Sequence, residues 1–548
     1  MIVKNSLALL LFLLLNALLC AHGYSQENIA FRYPIIPKPA VLTPESGSFT
    51  LTKNTRIVFA KANPDVKRVA DFLLQMIENS EGYQLCYGKL NEKNNVILFE
   101  TDNSITNEEG YKLFIQPQRV LISFKNAKGA FLAVQTLRQL MPPSIEKKNA
   151  GVKKISVPVV AIEDAPRFSY RGFLLDVSRH FFSIDFLKRY IDLMAFYKYN
   201  VFHLHLNDDQ GWRIEIKKYP KLQQISAWRK ETQVGFRTDT PKRYDGTPHG
   251  GFYTQKELKD LVKYASDRFV TIIPEIDFPG HSQAVLAAYP QLGCKDSVYT
   301  VSTGWGVHKD ILCPKEETFR FLEDVLSEVI AIFPSHYIHI GGDEVPKDRW
   351  KESPYCQDMI KKLGLNGENG LQSYFIRRME KFLNDKGRDV IGWDEILQGG
   401  LAPNATVMSW HGDKPATEAA ALKHYVIMTP TTFTYINYYQ TPKTSEIEPL
   451  ANKGIVTLQK AYSYNPVPST LQPGDDKYIL GVQASLWTEY VPSEQNALLM
   501  AFPRACALSE VGWTSLKNKD YKDFTDRLSR NLLHLDALGV GYANYDQK

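Results

Sequence analysis

The chain has 548 residues, too many for one ordinary hydrophobic core, so two or more domains are expected. Its composition is that of a folded protein, 44% hydrophobic and 23% charged, and the formal net charge is only +5 with no Lys/Arg block, so nucleic acid is not an implied partner. The 8 Trp, 29 Tyr and 28 Phe suit a protein whose ligand stacks on flat apolar faces, although cores use aromatics as well.

The N-terminus reads as a cleaved export leader over residues 1–23. Lys4 supplies the positive region, Leu7 to Leu19 the apolar run, and Ala21-His22-Gly23 a small-x-small cleavage site. The apolar run is short for a membrane span, and no other long apolar stretch follows. A lipoprotein reading through Cys20 meets a bulky Leu19 where a small residue is usual. Export places the mature chain in the periplasm or outside the cell. Five cysteines remain after Cys20 leaves: Cys86, Cys294, Cys313, Cys356 and Cys506. The number is odd, so at least one thiol stays unpaired. Cys294 and Cys313 flank a loop and could pair; buried free thiols are the equal alternative.

Residues 24–165 read as a separate α+β domain. Arg56–Phe59, Asn95–Phe99 and Val120–Phe124 have strand character, and Asn126 to Leu140 has helical periodicity, ending at Met141-Pro142-Pro143. No reactive cluster lies there. From 166 to 548 the pattern becomes repeated β/α units. The strands are Gly172–Val177, Val201–Leu206, Thr271–Ile276, Tyr337–Ile340, Val390–Trp393, Val407–Trp410, Tyr425–Thr429 and Ile479–Ala484. The helices include Ile184–Tyr197, Gln255–Phe269, Glu317–Phe333, Leu371–Lys386 and Ser493–Ser509. Eight strands with interposed helices predict an α/β protein with a (β/α)8 TIM barrel as its catalytic domain. An open doubly wound sheet is the alternative, but no Gly-x-Gly-x-x-Gly follows the first strand.

A barrel gathers its functional residues at the C-terminal strand ends. Those ends here carry Arg179-His180, His205 with Asp208-Asp209, Asp277 with His281, Asp343-Glu344, Trp393, Trp410, Tyr435 with Asn437, and Trp487 with Glu489. The fourth is the most informative. An apolar run, Tyr337-Ile338-His339-Ile340, passes through Gly341-Gly342 into two adjacent carboxylates. Neighbouring like charges resist ionising together, which splits their proton affinities. Glu344 is the candidate general acid, kept neutral by Trp walls, with Asp343 ionised beside it. Side chains of adjacent residues on a strand diverge, so Asp343 is suited to orienting and charge-stabilising a group next to the reacting carbon. Trp393, Trp410 and Trp487 suggest a box for a small flat group such as an acetamide. Arg179 and Glu489 would bond sugar hydroxyls. His203-x-His205 with Asp208, Asp277 and His281 admits a rival, a metal-dependent hydrolase of amidohydrolase type. A metal-free network in which His281 and Asp208 support the acid explains the same residues.

Together these segments resemble the β-N-acetylhexosaminidases of glycoside hydrolase family 20. The likeness is carried by Arg171–His180, His203–Trp212, Pro274–His281, His339–Glu344, Gly392–Glu395 and Trp487–Tyr490. It implies exo-hydrolysis of terminal non-reducing GlcNAc or GalNAc from glycans, without metal or cofactor, by a retaining mechanism in which the substrate's own acetamide oxygen attacks C1. Glu344 would then be the acid/base and Asp343 the orienter of the acetamide N–H. Tyr435 would bind the acetamide oxygen, and the three tryptophans would enclose its methyl. Arg179 would hold the 3- and 4-hydroxyls, Glu489 the 4- or 6-hydroxyl, and His205, Asp208 and His281 would give support. The partner is a glycan ending in β-linked N-acetylhexosamine, and family members are monomers or homodimers. A lacto-N-biosidase-like enzyme and a non-catalytic glycan-binding relative are the alternatives within the resemblance. One position departs from the family: Tyr-x-Asp usually follows the seventh strand, and here Tyr435-Ile436-Asn437 does. Asn437 keeps hydrogen-bonding capacity and loses the charge, which bears on GlcNAc against GalNAc selection.

Overall fold

The computed structural model describes residues 29–544, apart from 62, 152–153 and 443–447. The expected leader lies outside the described residues. By compactness the chain forms two units, one of Met1–Arg167 with Trp513–Val540 and one of Phe168–Gly512 with Gly541–Lys548.

The first unit is built on a seven-stranded sheet. Its strands are β1 (Val41–Leu51), β2 (Arg56–Phe59), β3 (Cys86–Tyr87), β4 (Val96–Thr101), β5 (Tyr111–Gln116), β6 (Arg119–Phe124) and β7 (Ile155–Asp164), in the order β1-β7-β5-β6-β4-β2-β3. The expected helix runs over Ala127–Leu140, and the Asn126 side chain caps it by accepting from Lys128 N–H. A second helix, Pro64–Glu81, has Asn63 as its cap, Pro64 in the first turn and Gly82 in a left-handed stop, and buries Val66, Val69, Leu73 and Ile77. The partition expected from sequence gave the whole C-terminus to the barrel. Residues 513–540 instead pack with the first unit. Their helix, Tyr521–Ala537, fixes itself by polar contacts: Arg527 donates to Ile35 O (2.7 Å) and Asn531 to Pro34 O (2.9 Å).

The second unit is a closed barrel of eight parallel strands. In chain order they are Tyr170–Asp176, Val201–His205, Thr271–Glu275, Tyr337–His339, Asp389–Trp393, Thr406–Ser409, Val426–Met428 and Ile479–Leu486. These coincide with the eight apolar runs. Inside the barrel, Tyr170, Leu174, Val201, Ile273, Ile391, Met408 and Ile427 pack together, with Trp393, Tyr435 and Trp487 above them. One expected helix is divided: Ser493–Ser509 appears as Glu494–Ala501 and Arg504–Trp513. Pro503 causes the break, since it lacks an N–H and its ring collides with the preceding turn.

Arg504, just past that break, is fully buried and holds the segment after the seventh strand. Its guanidinium donates to the carbonyls of Ile436 (2.6 Å), Tyr438 (2.8 Å), Val456 (2.9 Å) and Met500 (2.7 Å). Burial pushes its pKa down to about 9. Arg504→Met would strand several carbonyls at about 1–3 kcal/mol each. Urea unfolding should therefore show a loss of at least about 2 kcal/mol; a change within experimental error would contradict the clamp.

Candidate active site

The fourth strand delivers the paired carboxylates through a turn that only glycine permits. Gly341 has φ +66° and Gly342 φ +92°. A Cβ on Gly341 would come within 1.7 Å of Asp277 Oδ1. The Gly342 N–H donates to that same oxygen at 3.1 Å, so the turn closes on the end of the third strand. Glu344 is itself left-handed, φ +45°, a conformation costing about 1–2 kcal/mol for a residue with a Cβ. Its N–H donates to Glu395 Oε1 at 3.3 Å. The result is divergence: the Asp343 side chain is 14% exposed and that of Glu344 41%.

Of the twelve residues singled out on sequence, ten line one cavity of about 350 Å³: Arg179, His281, Asp343, Glu344, Trp393, Trp410, Tyr435, Asn437, Trp487 and Glu489. His205 and Asp208 lie buried behind it. The aromatic rings form a continuous wall, with centroids 5.7 Å apart for Trp393–Trp487, 6.3 Å for Trp487–Tyr435 and 6.4 Å for the nearly parallel Tyr435–Trp410. Each flanking indole is tethered from outside the cavity. Trp393 Nε1 donates to Glu275 Oε1 (2.9 Å) and Trp410 Nε1 to Glu395 Oε2 (3.0 Å).

Asp208 organises the charges. It faces Arg179 Nη2 at 2.7 Å, His205 Nε2 at 3.0 Å and His281 Nδ1 at 3.1 Å. Burial works to raise its pKa, but Arg179, then the two histidines, outweigh burial and hold it well below the usual carboxylate range. His281 responds in the opposite sense: burial opposes its charge, yet Asp208 and Asp209 push it well above the ordinary imidazole value. Its Nε2 then faces Glu344 Oε2 at 3.5 Å and Asp343 Oδ2 at 3.7 Å.

The two carboxylates are split, but in the reverse order from that expected. Burial tends to raise Glu344, while the hydrogen bond and charge of His281 prevail and leave it lowered. Asp343 is raised well above the carboxylate range, first by burial and then by the negative charge of Asp277. The cause is position: Glu344 sits at the open side beside His281, Asp343 inside beside the Asp277 carboxyl, which burial likewise pushes up. Asp343 Oδ1 is buried and has no hydrogen-bond partner.

The three histidines of the metal reading do not share a centre. Among the described residues, His203 groups with Glu275 and His339, while His281 groups with Asp208 and Asp209 or with Asp277 and Asp343. Of the two alternatives for the cysteines, the free-thiol one is found. The described cysteines are free thiols; Cys294, Cys313 and Cys356 cluster with their sulfurs within 4.8 Å, and Cys313 and Cys356 lie 3.6 Å apart.

Sequence reasoning overlooked Glu275. It is fully buried in the third strand, against His203 (3.1 Å), His339 (3.0 Å), His205 and Trp393. A charged residue inside the apolar run Thr271–Ile276 was the available signal, because such a charge must be paired. The loop residues of the cavity mouth, Phe236, Arg237, Trp305, Lys453 and Tyr490, gave no periodic signal.

The (β/α)8 barrel thus brings paired carboxylates and an arginine at its strand ends into one aromatic-walled cavity. The chain belongs to glycosyl hydrolase family 20. Residues 168–516 match the family's catalytic domain and residues 32–165 its domain 2. It is 45% identical over 513 residues to a beta-hexosaminidase of Porphyromonas gingivalis, covering 93% of this chain and 64% of that protein's length. A Cellulomonas fimi beta-N-acetylhexosaminidase is 32% identical, with 92% of this chain and 95% of that one covered. The GH20 beta-N-acetylhexosaminidase from Streptomyces coelicolor superposes with a TM-score of 0.82 at 32% identity, covering 94% and 98% of the two chains. A mutant Streptomyces plicatus beta-hexosaminidase in complex with product (GlcNAc) gives 0.82 at 33%, covering 94% and 97%.

Gly341→Ala should reduce stability by roughly 1–3 kcal/mol through the collision with Asp277 and the strained φ. Thermal unfolding and turnover would both be measured; wild-type values for both would contradict the tight turn. The His205–Glu275 pair predicts a pH effect. Burial opposes the His205 charge, but Glu275 and then Asp208 push its pKa up to about 10 from an ordinary 6.5. A raised pKa contributes stability that is complete below the unfolded value and lost as pH rises through the folded one. Stability should therefore fall between pH 7 and 10, and His205→Gln should flatten that slope; equal slopes would refute the assignment.

Proposed function

We propose that the chain is an exo-β-N-acetylhexosaminidase that removes terminal GlcNAc or GalNAc from glycans by a retaining, substrate-assisted reaction. The observation that carries this reading is the partnerless Asp343 Oδ1, buried beneath the tryptophan wall and beside Glu344. A buried acceptor needs a donor, and the substrate's acetamide N–H is one. In this reading the acetamide oxygen attacks C1, the glycosidic bond breaks and an oxazolinium ion forms. Glu344 gives its proton to the leaving oxygen, then takes one from the water that opens the ring. Asp343 stabilises the positive nitrogen. Tyr435 donates to the acetamide oxygen, and Trp393, Trp410 and Trp487 enclose the methyl. Arg179, fixed by Asp176 (3.2 Å), Asp208 (2.7 Å) and Gln210 (3.1 Å), holds the 3- and 4-hydroxyls, while Glu489 and Asn437 meet the 4- and 6-hydroxyls.

The proton affinities of Asp343 and Glu344 are compatible with this sequence of events. An acetamide N–H bonded to Asp343 favours its carboxylate, and the new charge beside Glu344, together with lost solvent, raises that carboxyl. Residues 1–23 support export to the periplasm or beyond, where such glycans are met. No helix among the described residues is long and apolar enough to cross a membrane. The mature chain is read as working alone or as a homodimer.

Glu344→Gln should lower kcat on a β-GlcNAc disaccharide by roughly 10²–10⁴-fold, and less on an aryl glycoside whose leaving group needs little protonation. Equal losses on the two substrates would remove Glu344 from the acid role. Aryl β-GlcNAc hydrolysis should be indifferent to EDTA; abolition by EDTA would restore the amidohydrolase reading.

A further inference from the structure

Three thiols meet outside the sugar cavity. Cys294, Cys313 and Cys356 hold their sulfurs within 4.8 Å of one another, and none of them lines the cavity. Cys313 and Cys356 are fully buried, and Cys294 is partly exposed. The Cys313 and Cys356 sulfurs lie 3.6 Å apart. Two thiolates bonded to one tetrahedral zinc ion at about 2.3 Å each stand roughly 3.8 Å from each other. A buried cysteine that serves only as a small apolar filler needs no second thiol beside it. Here three come together from three separate segments.

Hydrogen bonds that involve no sulfur fix those segments. Gly293 and Leu312 form a lone antiparallel bridge, and Cys313 N–H donates to Leu292 O at 2.8 Å. Cys356 lies in the first turn of the helix Pro354–Leu363, where its N–H donates to the capping Ser353 Oγ at 3.4 Å. Lys315 Nζ donates to the carbonyls of Gln291 (2.9 Å) and Gly293 (2.8 Å), which puts an ammonium next to Cys294. A helix N-terminus and a fixed cation both favour a thiolate, and the thiolate is the form that binds metal. Thiolates at this spacing repel one another unless a cation lies between them.

We infer that Cys294, Cys313 and Cys356 bind one thiophilic closed-shell cation, zinc or copper(I), and release their protons to solvent as they do so. Soft sulfur ligands select these ions, whereas calcium and magnesium take oxygen. Copper(I) is satisfied by three sulfurs; zinc takes a water as fourth ligand, which the partial exposure of Cys294 allows. The ion has a structural task. Trp350 Nε1 donates to Leu312 O at 3.0 Å, and Leu312 N–H donates to Pro279 O at 3.0 Å. Pro279 lies just before His281, and the helix Asp348–Glu352 that carries Trp350 lies just after Glu344. The ion would staple the loop after the third strand to the helices after the fourth. The site does not depend on the hexosaminidase reading.

The test is metal analysis of the mature protein, purified with a histidine-free tag and no chelator. Plasma mass spectrometry should find about one zinc or copper per chain, and which of the two it finds identifies the ion. Cys313→Ser and Cys356→Ser should each lose about fivefold or more of that metal, while Cys86→Ser and Cys506→Ala keep it. The same two losses should lower the melting temperature by several degrees and leave turnover in a brief assay nearly unchanged, because the ion lies outside the cavity. Should the serine variants fail to fold, X-ray absorption at the metal edge of the wild type should show about three sulfur neighbours near 2.3 Å. A shell of nitrogen and oxygen alone would overturn the inference. So would a reduced wild type that takes up neither zinc nor copper(I) when each is supplied at one equivalent per chain. A peptide map with a disulfide between any two of the three, in the protein as purified, would overturn it as well.

Discussion

A single buried carboxylate, that of Asp208, fixes the chemistry of the cavity. An isolated charge at that depth would cost several kcal/mol, so the site is stable only if cations converge on it. Three do, Arg179 from the first strand end, His205 from the second and His281 from the third. Their convergence aligns three neighbouring strand ends on a common point. It also determines what faces the cavity. Arg179 spends part of its fork on Asp208 and lies with its guanidinium carbon 5.2 Å from the Trp487 ring centre. The same carboxylate favours the protonated form of His281, whose Nε2 faces Glu344.

A second anion, Glu275, works one layer deeper. It gathers His203, His205 and His339 inside the barrel and reaches up to the Trp393 indole. His205 touches both Glu275 and Asp208, so the two anions share one imidazole. The aromatic wall is therefore not merely packed on the barrel. It is hydrogen-bonded to the charge network that also sets the proton affinity of the carboxylates, and displacement of either would disturb the other.

Much of this was legible in the sequence. Eight short apolar runs separated by amphipathic stretches mark the eight barrel strands, because a buried parallel strand has no polar face. The cavity-lining residues were visible as polar or tryptophan side chains at the ends of those runs. What could not be read depended on depth and on contacts between distant segments. The proton affinities of Asp343 and Glu344 came out reversed because adjacency in sequence says nothing of which one faces Asp277 and which faces His281. The helix Tyr521–Ala537 was placed with the barrel because its attachment runs through Pro34 and Ile35, nearly five hundred residues away. Pro503 was a visible breaker that the helical periodicity of Ser493–Ser509 masked. Cys294 and Cys313 stood out by proximity in sequence, whereas Cys356, from the helix Pro354–Leu363, joins the same cluster.

Glu395 joins two parts of the cavity that otherwise look independent. One of its oxygens accepts the backbone N–H of Glu344, the other the indole N–H of Trp410. The wall and Glu344 therefore share one anchor, and a change that shifts the wall to admit a bulkier group also shifts Glu344. Among the described residues, Phe236, Arg237 and Lys453 make no hydrogen bond to Glu344 or Glu395. A substitution that moves Glu395 would therefore disturb the Trp410 side of the wall and the Glu344 backbone together.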